Sequence, residues 1–568
     1  MPSTLDPCCG RTLAAPRLHW RLLSALVLAL AALDGAAGRA AAPVEVKVLA
    51  INDFHGSLRT PPGSLRLADA HDPARSVDVR AGGAEHLATR VQQLKAKNPH
   101  HVFVAAGDLV GASPLLSALF RDEPTIEALS QMGLEFAAVG NHEFDRGAAE
   151  LLRLQHGGCA EDGGCRGPQP FAGASFQYLA ASTFARRSGR ALLPAYRVKR
   201  FAGVAVAFIG LTLRSTPSMV MRSGVRGLVF RDEARSVNAL VPELRRQGIE
   251  AIVLLLHQGG FPTGGANECP GIAGPVVDIL KKLDRAVDVV ISGHTHRAYN
   301  CRIDGRLLTS AGSHGRLLTE IDLVLDPASG DVTAASARNH VVDAERTPKD
   351  ARQTALIEAY ERLAQPLAQR VVAPLAAALP REANAAGESA IGQVLADAQL
   401  EATRAAGAQI ALVNPGGVRA ALVPGPDGLL RYEQLFAVQP FGNRLVTMTL
   451  SGAQLAALLE QQWRGQPLAA GRVLHVSRGF TYTWDAARPP GQRVVAASLR
   501  LQGRRLAADA RVRVTVNSFM AEGGDRFGVL RQGRERQAGP LDVEALEAYL
   551  KAAPAPAQPA QRRIKRLH

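Results

Sequence analysis

Short apolar runs alternate with stretches of helical periodicity from residue 44 to about residue 343. Continuous apolar runs bounded by polar residues and glycines are typical of strands that are buried on both faces of a sheet. Their alternation with helical patterns predicts an α/β domain with buried sheets. The predicted strands cover residues 46–51, 101–106, 136–139, 204–209, 251–256 and 287–291.

One amphipathic stretch, over residues 347–369, separates these runs from the rest of the chain. Its large apolar residues recur at helical spacing between polar residues, which predicts a helix. These residues are Leu356, Tyr360, Leu363 and Leu367. We expect this helix to connect two domains.

The sequence beyond this helix predicts a second α/β domain. Helical patterns at 391–404 and 452–463 accompany apolar runs at 410–413 and 511–516. The last residues are rich in Ala, Pro and Gln and end in a basic cluster, a composition typical of disorder. The predicted organisation is a signal peptide at 1–42, a first domain at 43–345, a connecting helix or hinge at 346–371, a second domain at 372–552 and a disordered basic tail at 553–568.

Length and composition agree with a large globular protein. The chain has 568 residues, and domains average roughly 150 residues. Hydrophobic residues make up 47% and charged residues 21%, which excludes a disordered, collagen-like or multi-span membrane protein. The net charge is +15. Because the Arg residues are scattered along the chain, this charge favours an anionic, phosphate-bearing ligand, and we predict no nucleic-acid partner.

The N-terminus has the segment order of a secretory signal. Arg residues precede an apolar run over residues 22–33, and small residues follow at 40–42. The run ends at Asp34 and is shorter than the ~20 residues of a spanning helix, so an uncleaved membrane anchor is the weaker alternative and we predict no stable membrane span. We expect a mature chain from about Pro43, and the Arg- and Ala-rich usage favours a periplasmic location.

Four cysteines follow the predicted signal, an even number that favours two disulfides in an oxidising compartment. Cys159 and Cys165 flank a Gly-rich loop that a disulfide could close. Cys269 and Cys301 lie on either side of a predicted strand. The sequence leaves the pairing open, and free buried thiols are the alternative.

Polar residues suited to chemistry follow the ends of five predicted strands. Ligand sites of α/β proteins are assembled at the carboxyl ends of strands, and neighbouring glycines allow the sharp turns that such sites need. A lone histidine is usually structural, but five strand ends with the same chemistry predict one cluster. Its members are Asp53 and His55; Asp108; Asn141, His142, Glu143 and Asp145; His257; and His294 and His296. Other histidines, including His314, lack this setting and are interpreted as structural or exposed.

The cluster combines carboxylates, imidazoles and a carboxamide without a thiolate. This donor set suits two divalent cations such as Zn, Mn or Co. Two ions close together need a carboxylate between them, because a shared ligand offsets their repulsion and sets their spacing. The sequence therefore predicts a centre with two metal ions of undetermined identity.

These motifs, in this order, resemble the calcineurin-like metallophosphoesterases, and more narrowly the 5'-nucleotidase and UDP-sugar hydrolase family. The resemblance covers nearly the whole mature chain and implies a four-layer sandwich domain followed by a second α/β, nucleotide-binding domain. The motifs that carry it are Asn52 to Gly56, Gly107-Asp108, Gly140 to Asp145, His257 and Gly293 to His296.

The resemblance also implies the roles of the cluster residues. One metal ion is expected on Asp53, His55, Asp108 and His296, and the other on Asp108, Asn141, His257 and His294. Some relatives carry an amide where this chain has His296, a difference that bears on metal preference. A metal-bound hydroxide is expected to attack phosphorus. His142, oriented by Asp145, is then expected to stabilise the transition state or to protonate the leaving oxygen.

Three glycine-bearing segments of the second domain suit a nucleotide. Two Phe rings on such loops can enclose a planar base, although core packing is the simpler interpretation of each ring alone. In the nucleotidase family, matching motifs imply Asn414 and Arg419 at the ribose or phosphates, Phe441 and Phe519 on the base, and Asp525 near the ribose hydroxyls. We therefore expect a nucleotide or nucleotide-sugar substrate bound between two domains that rotate relative to each other.

The predicted function is an exported two-metal phosphohydrolase, most simply a 5'-nucleotidase, with UDP-sugars as further candidate substrates. The main alternative is a 2',3'-cyclic-nucleotide 2'-phosphodiesterase/3'-nucleotidase, although such relatives tend to carry Asn where this chain has Asp145. A thiosulfohydrolase-like enzyme of sulfur oxidation and a non-catalytic nucleotide-binding surface protein are less favoured. The sequence leaves the preferred base, the oligomeric state and the pathway open.

Overall fold

The computed structural model describes residues 42–68, 75–160, 163–464, 472–552 and 562–568. The predicted signal peptide lies outside these ranges except for Ala42. Among the described residues, no helix has the length and apolarity that a membrane crossing requires.

Two six-stranded sheets form the N-terminal domain. Central strands such as Val44–Ile51 and Ala251–His257 are buried over almost their whole length, which explains their continuous apolar sequence. The strands of the first sheet, in spatial order, are Val332–Val341, Leu317–Leu325, Val44–Ile51, His101–Ala105, Phe136–Ala138 and Gln177–Leu179. Those of the second are Ala298–Ile303, Arg306–Ala311, Val289–Ser292, Ala251–His257, Val204–Thr212 and Tyr196–Phe201.

The sheets pack face to face with helices outside, so the domain has the four layers that the resemblance implied. Val48 and Val104 of one sheet share an apolar layer with Phe208 and Leu255 of the other. The helices that cover the first sheet are Ala84–Lys95, Glu123–Gln131 and Ala148–His156. Those that cover the second are Glu233–Asn238, Val241–Arg246 and Pro275–Leu280. All six predicted strands are confirmed, with ends that differ by a few residues.

The C-terminal domain contains a five-stranded and a four-stranded sheet. The first has the order His475–Val476, Ile410–Val413, Arg511–Asn517, Arg444–Ser451 and Arg534–Leu541. The second has the order Arg504–Arg505, Arg500–Leu501, Phe480–Asp485 and Ile564–Leu567. Its longer helices are Ala390–Ala402, Gly452–Glu460 and Asp542–Ala552. Ser389 and Ser451 cap the first two by accepting hydrogen bonds from the backbone of the first turn.

The remaining elements are short. Within the described ranges, three strand pairs lie outside the large sheets: Leu65–Ala68 with Ser76–Val79, Thr183–Ala185 with Leu228–Phe230, and Val371–Pro374 with Leu429–Arg431. Short helices are Leu115–Ala118, Tyr432–Val438 and Ser518–Ala521. Disulfides join Cys159 to Cys165 and Cys269 to Cys301, so two disulfides form and each closes the loop or strand region that the sequence suggested.

The predicted connecting helix is observed over Ala351–Ala368, and Asp350 caps its first turn. Its buried face differs from the predicted one. Leu363 is 49% exposed, whereas Ile357, Tyr360 and Ala364 are buried. Tyr360 contacts Phe120 at a ring separation of 4.8 Å, so packing against neighbouring helices, rather than side-chain size, selects the buried face.

The prediction of disorder for residues 553–568 is wrong at its end, and residues 553–561 lie outside the described ranges. Ile564–Leu567 forms a strand parallel to Phe480–Asp485. Arg563 is buried and donates two hydrogen bonds of 2.8 Å to the carboxylate of Asp397. Composition alone missed this strand because one residue of the basic cluster is neutralised inside the fold.

Candidate active site

The polar strand ends of both sheets meet at one edge of the sandwich. Val44–Ile51 runs parallel to His101–Ala105, and Ala251–His257 runs parallel to Val289–Ser292, so the carboxyl ends of these strands lie side by side. The two sheets face each other, and their ends therefore converge. The residues brought together are the seven candidate metal ligands Asp53, His55, Asp108, Asn141, His257, His294 and His296.

Asp53, His55 and His296 form one group, whose ligand atoms all lie within 4.8 Å of one another. Nε2 of His296 is 3.1 Å from Nε2 of His55 and 3.3 Å from Oδ1 of Asp53. Nδ1 of His55 donates to the carbonyl oxygen of Gly111 at 2.8 Å. Because burial and His296 lower the pKa of His55 well below its usual range, the ring is neutral and Nε2 offers a lone pair.

Asp108, His257 and His294 form the second group, again within 4.8 Å. Nε2 of His257 lies 3.0 Å from Oδ2 of Asp108 and 3.3 Å from Oδ1 of Asn141. The same Asp108 oxygen lies 3.9 Å from Nε2 of His55 in the first group. Asp108 therefore stands between the groups, where a bridging ligand has to be.

The electrostatics of this second group favour a cation. Burial disfavours charge on His257, yet Asp108, whose Oδ2 lies 3.0 Å from Nε2, raises its pKa to about 10. Burial, with His257 nearby, lowers the pKa of His294 to about 3. Carboxylates and imidazoles at this spacing are donors for first-row divalent cations, and binding of such a cation would displace the proton of His257.

The backbone of the cluster is held in an uncommon conformation. The φ angles of Asp53, His55, Asp108, His294 and His296 lie between 48° and 72°. Residues other than glycine rarely adopt this left-handed region, and such strain concentrates at functional sites. The side chain of Asp108 can approach the backbone of Gly140 because this residue is a glycine: a Cβ atom there would lie 2.2 Å from Oδ1 of Asp108.

Buried polar residues hold the candidate ligands in place. The Glu143 carboxyl accepts hydrogen bonds from the backbone N–H groups of Asp108, Leu109 and Gly140 at 2.8–3.1 Å, and burial together with Asp108 raises its pKa to about 8. Asn52 Nδ2 donates to Asp53 Oδ2 at 2.7 Å. Both residues lie within the recognised motifs, but their supporting contacts required the structure.

His142 and Asp145 lie beside the two groups. Nδ1 of His142 is 2.7 Å from Oδ2 of Asp145. Burial opposes charge on His142, but Asp145 and Asp108 raise its pKa, so the imidazolium form is favoured. The ring of Phe441, from the C-terminal domain, stacks on the His142 ring at a centroid distance of 5.9 Å.

Two of the predicted polar residues of the C-terminal domain, Asn414 and Asp525, belong to one hydrogen-bonded chain. Asn517 Nδ2 donates to Asn414 Oδ1 at 3.0 Å, and Asn414 Nδ2 donates to Asp525 Oδ2 at 2.7 Å. Arg472 forms an ion pair with the other oxygen of Asp525. These contacts orient Asn414 and Asp525; no sequence motif indicated Arg472.

A cavity of about 570 Å³ lies between the domains. From the N-terminal domain it is lined by Asn141, His142, Asp145 and His294. From the C-terminal domain it is lined by all five predicted substrate residues, Asn414, Arg419, Phe441, Phe519 and Asp525. The site residues predicted for the two domains thus face one another across one cleft.

His314 is a neighbour that the sequence analysis assigned a structural or exposed position. Its ring centroid lies 5.7 Å from those of His55 and His296, and its Nδ1 is 3.0 Å from Ser57 Oγ. Burial, with His296 nearby, lowers its pKa to about 3. The sequence analysis selected polar residues that follow predicted strands, and no predicted strand ends at His314. Its place beside the centre was therefore not predicted.

The fold and this centre define a metallophosphoesterase. Residues 46–298 match the model of the calcineurin-like phosphoesterases, and residues 368–532 match that of the 5'-nucleotidase C-terminal domain. The chain belongs to the 5'-nucleotidase family, which joins these two domains. It is therefore an enzyme of the metal-dependent phosphoric monoester hydrolase class.

Two relatives and one solved structure align with most of this chain. The chain is 32% identical to endonuclease YhcR of Bacillus subtilis over 90% of its own length, but it spans only 40% of that protein. It is 25% identical to a snake venom 5'-nucleotidase of Gloydius brevicauda, covering 96% of this chain and 91% of the venom protein. The crystal structure of a 5'-nucleotidase precursor from Thermus thermophilus matches with a TM-score of 0.75 and 28% identity, covering 92% of this chain and 99% of that one.

Proposed function

We propose that this protein is an exported 5'-nucleotidase that releases phosphate from nucleoside 5'-monophosphates, with UDP-sugars as a second substrate class. One observation carries the proposal. Residues suited to two metal ions and residues suited to a base and ribose line opposite walls of the same cleft. A cleft of about 570 Å³ is within the range of ligand pockets for small molecules.

Two divalent ions fit the donors of the centre. Asp53, His55, Asp108 and His296 would hold one ion, and Asp108, Asn141, His257 and His294 the other. Zn, Mn and Co all accept this mixture of carboxylate, imidazole and carboxamide. When bound, the two ions supply an activated water and offset charge on the phosphoryl oxygens.

The chain's own residues complete the reaction. His142, held in its charged form by Asp145, donates a proton to the leaving ribose oxygen or stabilises the charge that develops in the transition state. Arg419 lines the same cleft and is attracted by Asp108 and Asp145. Its guanidinium binds the phosphoryl oxygens and orients the substrate.

The C-terminal wall of the cleft binds the nucleoside. Phe441 and Phe519 stack on the base, an interaction that any base can make. Asn414 and Asp525, oriented by Asn517 and Arg472, hydrogen-bond the ribose hydroxyls. Nucleotide binding thus uses one domain and phosphate release the other.

Export to the periplasm accounts for the disulfides and the N-terminal sequence. Cys159–Cys165 and Cys269–Cys301 persist only in an oxidising compartment. The apolar run at residues 22–33 then serves as the secretion signal. Mass spectrometry of periplasmic protein that begins near Pro43 would support this location, and a full-length chain in the cytoplasm would contradict it.

Phosphate release from 5'-AMP by the mature protein, with Zn, Mn or Co added, tests the proposed activity. We expect metal-dependent release that a chelator stops and that Asp108→Ala abolishes, while Asp278→Ala, at an exposed helix position, retains it. Cyclic AMP isomers and UDP-glucose are assayed beside 5'-AMP. Faster cleavage of 2',3'-cyclic AMP than of 5'-AMP would favour the cyclic phosphodiesterase, and no release from folded, metal-loaded protein would exclude a 5'-nucleotidase.

A further inference from the structure

A second cavity of about 470 Å³ opens beside the nucleotide cleft and is strongly basic. Four arginines line it: Arg222 of the N-terminal domain, and Arg464, Arg526 and Arg531 of the C-terminal domain. All four side chains are exposed, and none belongs to the proposed catalytic or nucleoside-binding residues.

The cluster has few negative neighbours. Within the described ranges, no carboxylate forms an ion pair with these four guanidinium groups. The Glu522 carboxylate accepts a hydrogen bond from the backbone N–H of Arg222 at 3.3 Å, and Asp525 is engaged by Arg472 and Asn414. Partial desolvation, with Arg472 and Arg464 nearby, lowers the pKa of Arg526. Like charges held together at a cavity attract an anion.

The two cavities share one wall, the turn Gly523 to Arg526. Asp525 faces the nucleotide cleft and Arg526 faces the basic cavity. The two residues are consecutive in this turn, and both have positive φ angles, 53° and 68°. A group attached to a ribose hydroxyl near Asp525 therefore has a short path to the arginines.

We propose that the basic cavity binds a second phosphate, carried on a ribose hydroxyl of the nucleotide whose 5'-phosphate lies at the metal centre. This proposal rests on the proposed function of the cleft. Guanidinium groups recognise phosphate through paired hydrogen bonds. The Arg472 ion pair also reduces the repulsion between Asp525 and such a phosphate. The phosphate belongs to a nucleoside bisphosphate or to the next link of a short oligonucleotide.

Kinetics with three substrates test the proposal: 5'-AMP, adenosine 3',5'-bisphosphate and the 5'-phosphorylated dinucleotide pApA. At low salt we expect a KM for at least one 3'-substituted substrate about tenfold below that for 5'-AMP. The variant Arg464→Ala/Arg531→Ala should remove this KM advantage and keep the KM for 5'-AMP within about twofold of the wild-type value. High salt should also remove the advantage, because it screens the arginines. Arg504→Ala/Arg505→Ala, on an exposed strand pair, is the matched control and should retain it.

The outcomes separate the sources of the phosphate. A lower KM for both the bisphosphate and pApA assigns the cavity to any phosphate on the 3' side. A lower KM for the bisphosphate alone assigns it to a terminal phosphate, and a lower KM for pApA alone assigns it to a phosphodiester. Equal KM values for all three substrates, or an advantage that survives in the double variant, would overturn the proposal. If 5'-AMP is not hydrolysed at all, the proposed function fails separately. Calorimetric Kd values for 5'-AMP and the bisphosphate, on wild type and double variant, then decide this inference.

Discussion

Asp108 contacts residues of both candidate metal groups and the backbone of His142. One oxygen lies near the imidazoles of His257 and His55, and the other accepts a 2.9 Å hydrogen bond from the backbone of His142. Its φ of 53° is left-handed, and its Oδ1 approaches Gly140 so closely that a Cβ atom there would clash with it. A residue so constrained links metal binding to the position of the proposed proton donor, because moving Asp108 also moves His142.

Asp145→Asn tests the proton-donor pair without removing a candidate metal ligand. The amide keeps the shape but loses the charge that favours the imidazolium form of His142. We expect kcat for 5'-AMP to fall about tenfold to hundredfold with KM little changed. Asp278→Asn is the control. An unchanged kcat, measured by steady-state phosphate release, would remove Asp145 from the mechanism.

Phe519→Ala tests the assignment of the base site. Losing a stacking partner costs about 1–3 kcal/mol, so KM for 5'-AMP should rise about fivefold to hundredfold. Ribose 5-phosphate has no base, and its kcat/KM should therefore stay the same. Phe261→Ala removes an exposed phenylalanine outside the cleft and serves as the control. Equal losses for both substrates would assign Phe519 to packing instead.

At the scale of elements, the C-terminal strand shows how a charged segment becomes part of a core. Ile564 is 2% exposed and Arg563 is 5% exposed. Arg563 Nη1 also donates to the carbonyl oxygen of Val476 at 2.8 Å, and its backbone N–H donates to Glu388 Oε1 at 2.9 Å. Arg563 thereby links the strand to the helix Ala390–Ala402 and to Val476 of the five-stranded sheet.

Arg563→Ala should strongly destabilise the C-terminal domain, because it leaves the buried carboxylate of Asp397 without a partner. Breaking a buried ion pair costs about 3–5 kcal/mol, which corresponds to a fall in Tm of about 10 °C for a domain of this size. Arg562→Ala, at the exposed neighbouring position, should leave Tm unchanged. In the double variant Arg563→Met/Asp397→Leu we expect Tm to recover partly. Equal Tm values for both single variants in calorimetry would contradict a structural role.

For the whole molecule, the interdomain cleft raises the question of how substrate enters. Phe441 of one domain stacks on His142 of the other, and Arg222 N lies 3.3 Å from Glu522 Oε2. With these contacts made, the walls of the cleft are close together. We therefore expect the C-terminal domain to rotate about the connecting helix during each turnover.

Linking the domains tests this rotation. In Arg222→Cys/Glu522→Cys, we expect oxidation to lower turnover of 5'-AMP at least about tenfold and a reductant to restore it. Wild-type protein under the same reductant controls for the native disulfides. Each single cysteine variant controls for the substitutions themselves. Unchanged turnover in fully cross-linked protein would exclude rotation as a required step.

The sequence by itself determined the buried strands and the identity of the clustered residues. Runs such as residues 251–256 are apolar throughout because both faces are covered, and His257 follows at the strand end, where the run stops. Local periodicity and chain order suffice for such features, since they depend on neighbours along the chain. The same information predicted the helix Ala351–Ala368 but not its buried face.

Only the tertiary structure decided which distant residues meet. Arg472 at Asp525, His314 beside His55, and Arg563 on Asp397 are contacts between segments far apart in the chain, and no local pattern encodes them. The basic cavity likewise combines scattered arginines from both domains. Charge and burial depend on the sum of all neighbours in space, so a residue that composition assigns to solvent can be neutralised in a core or gathered at a cleft.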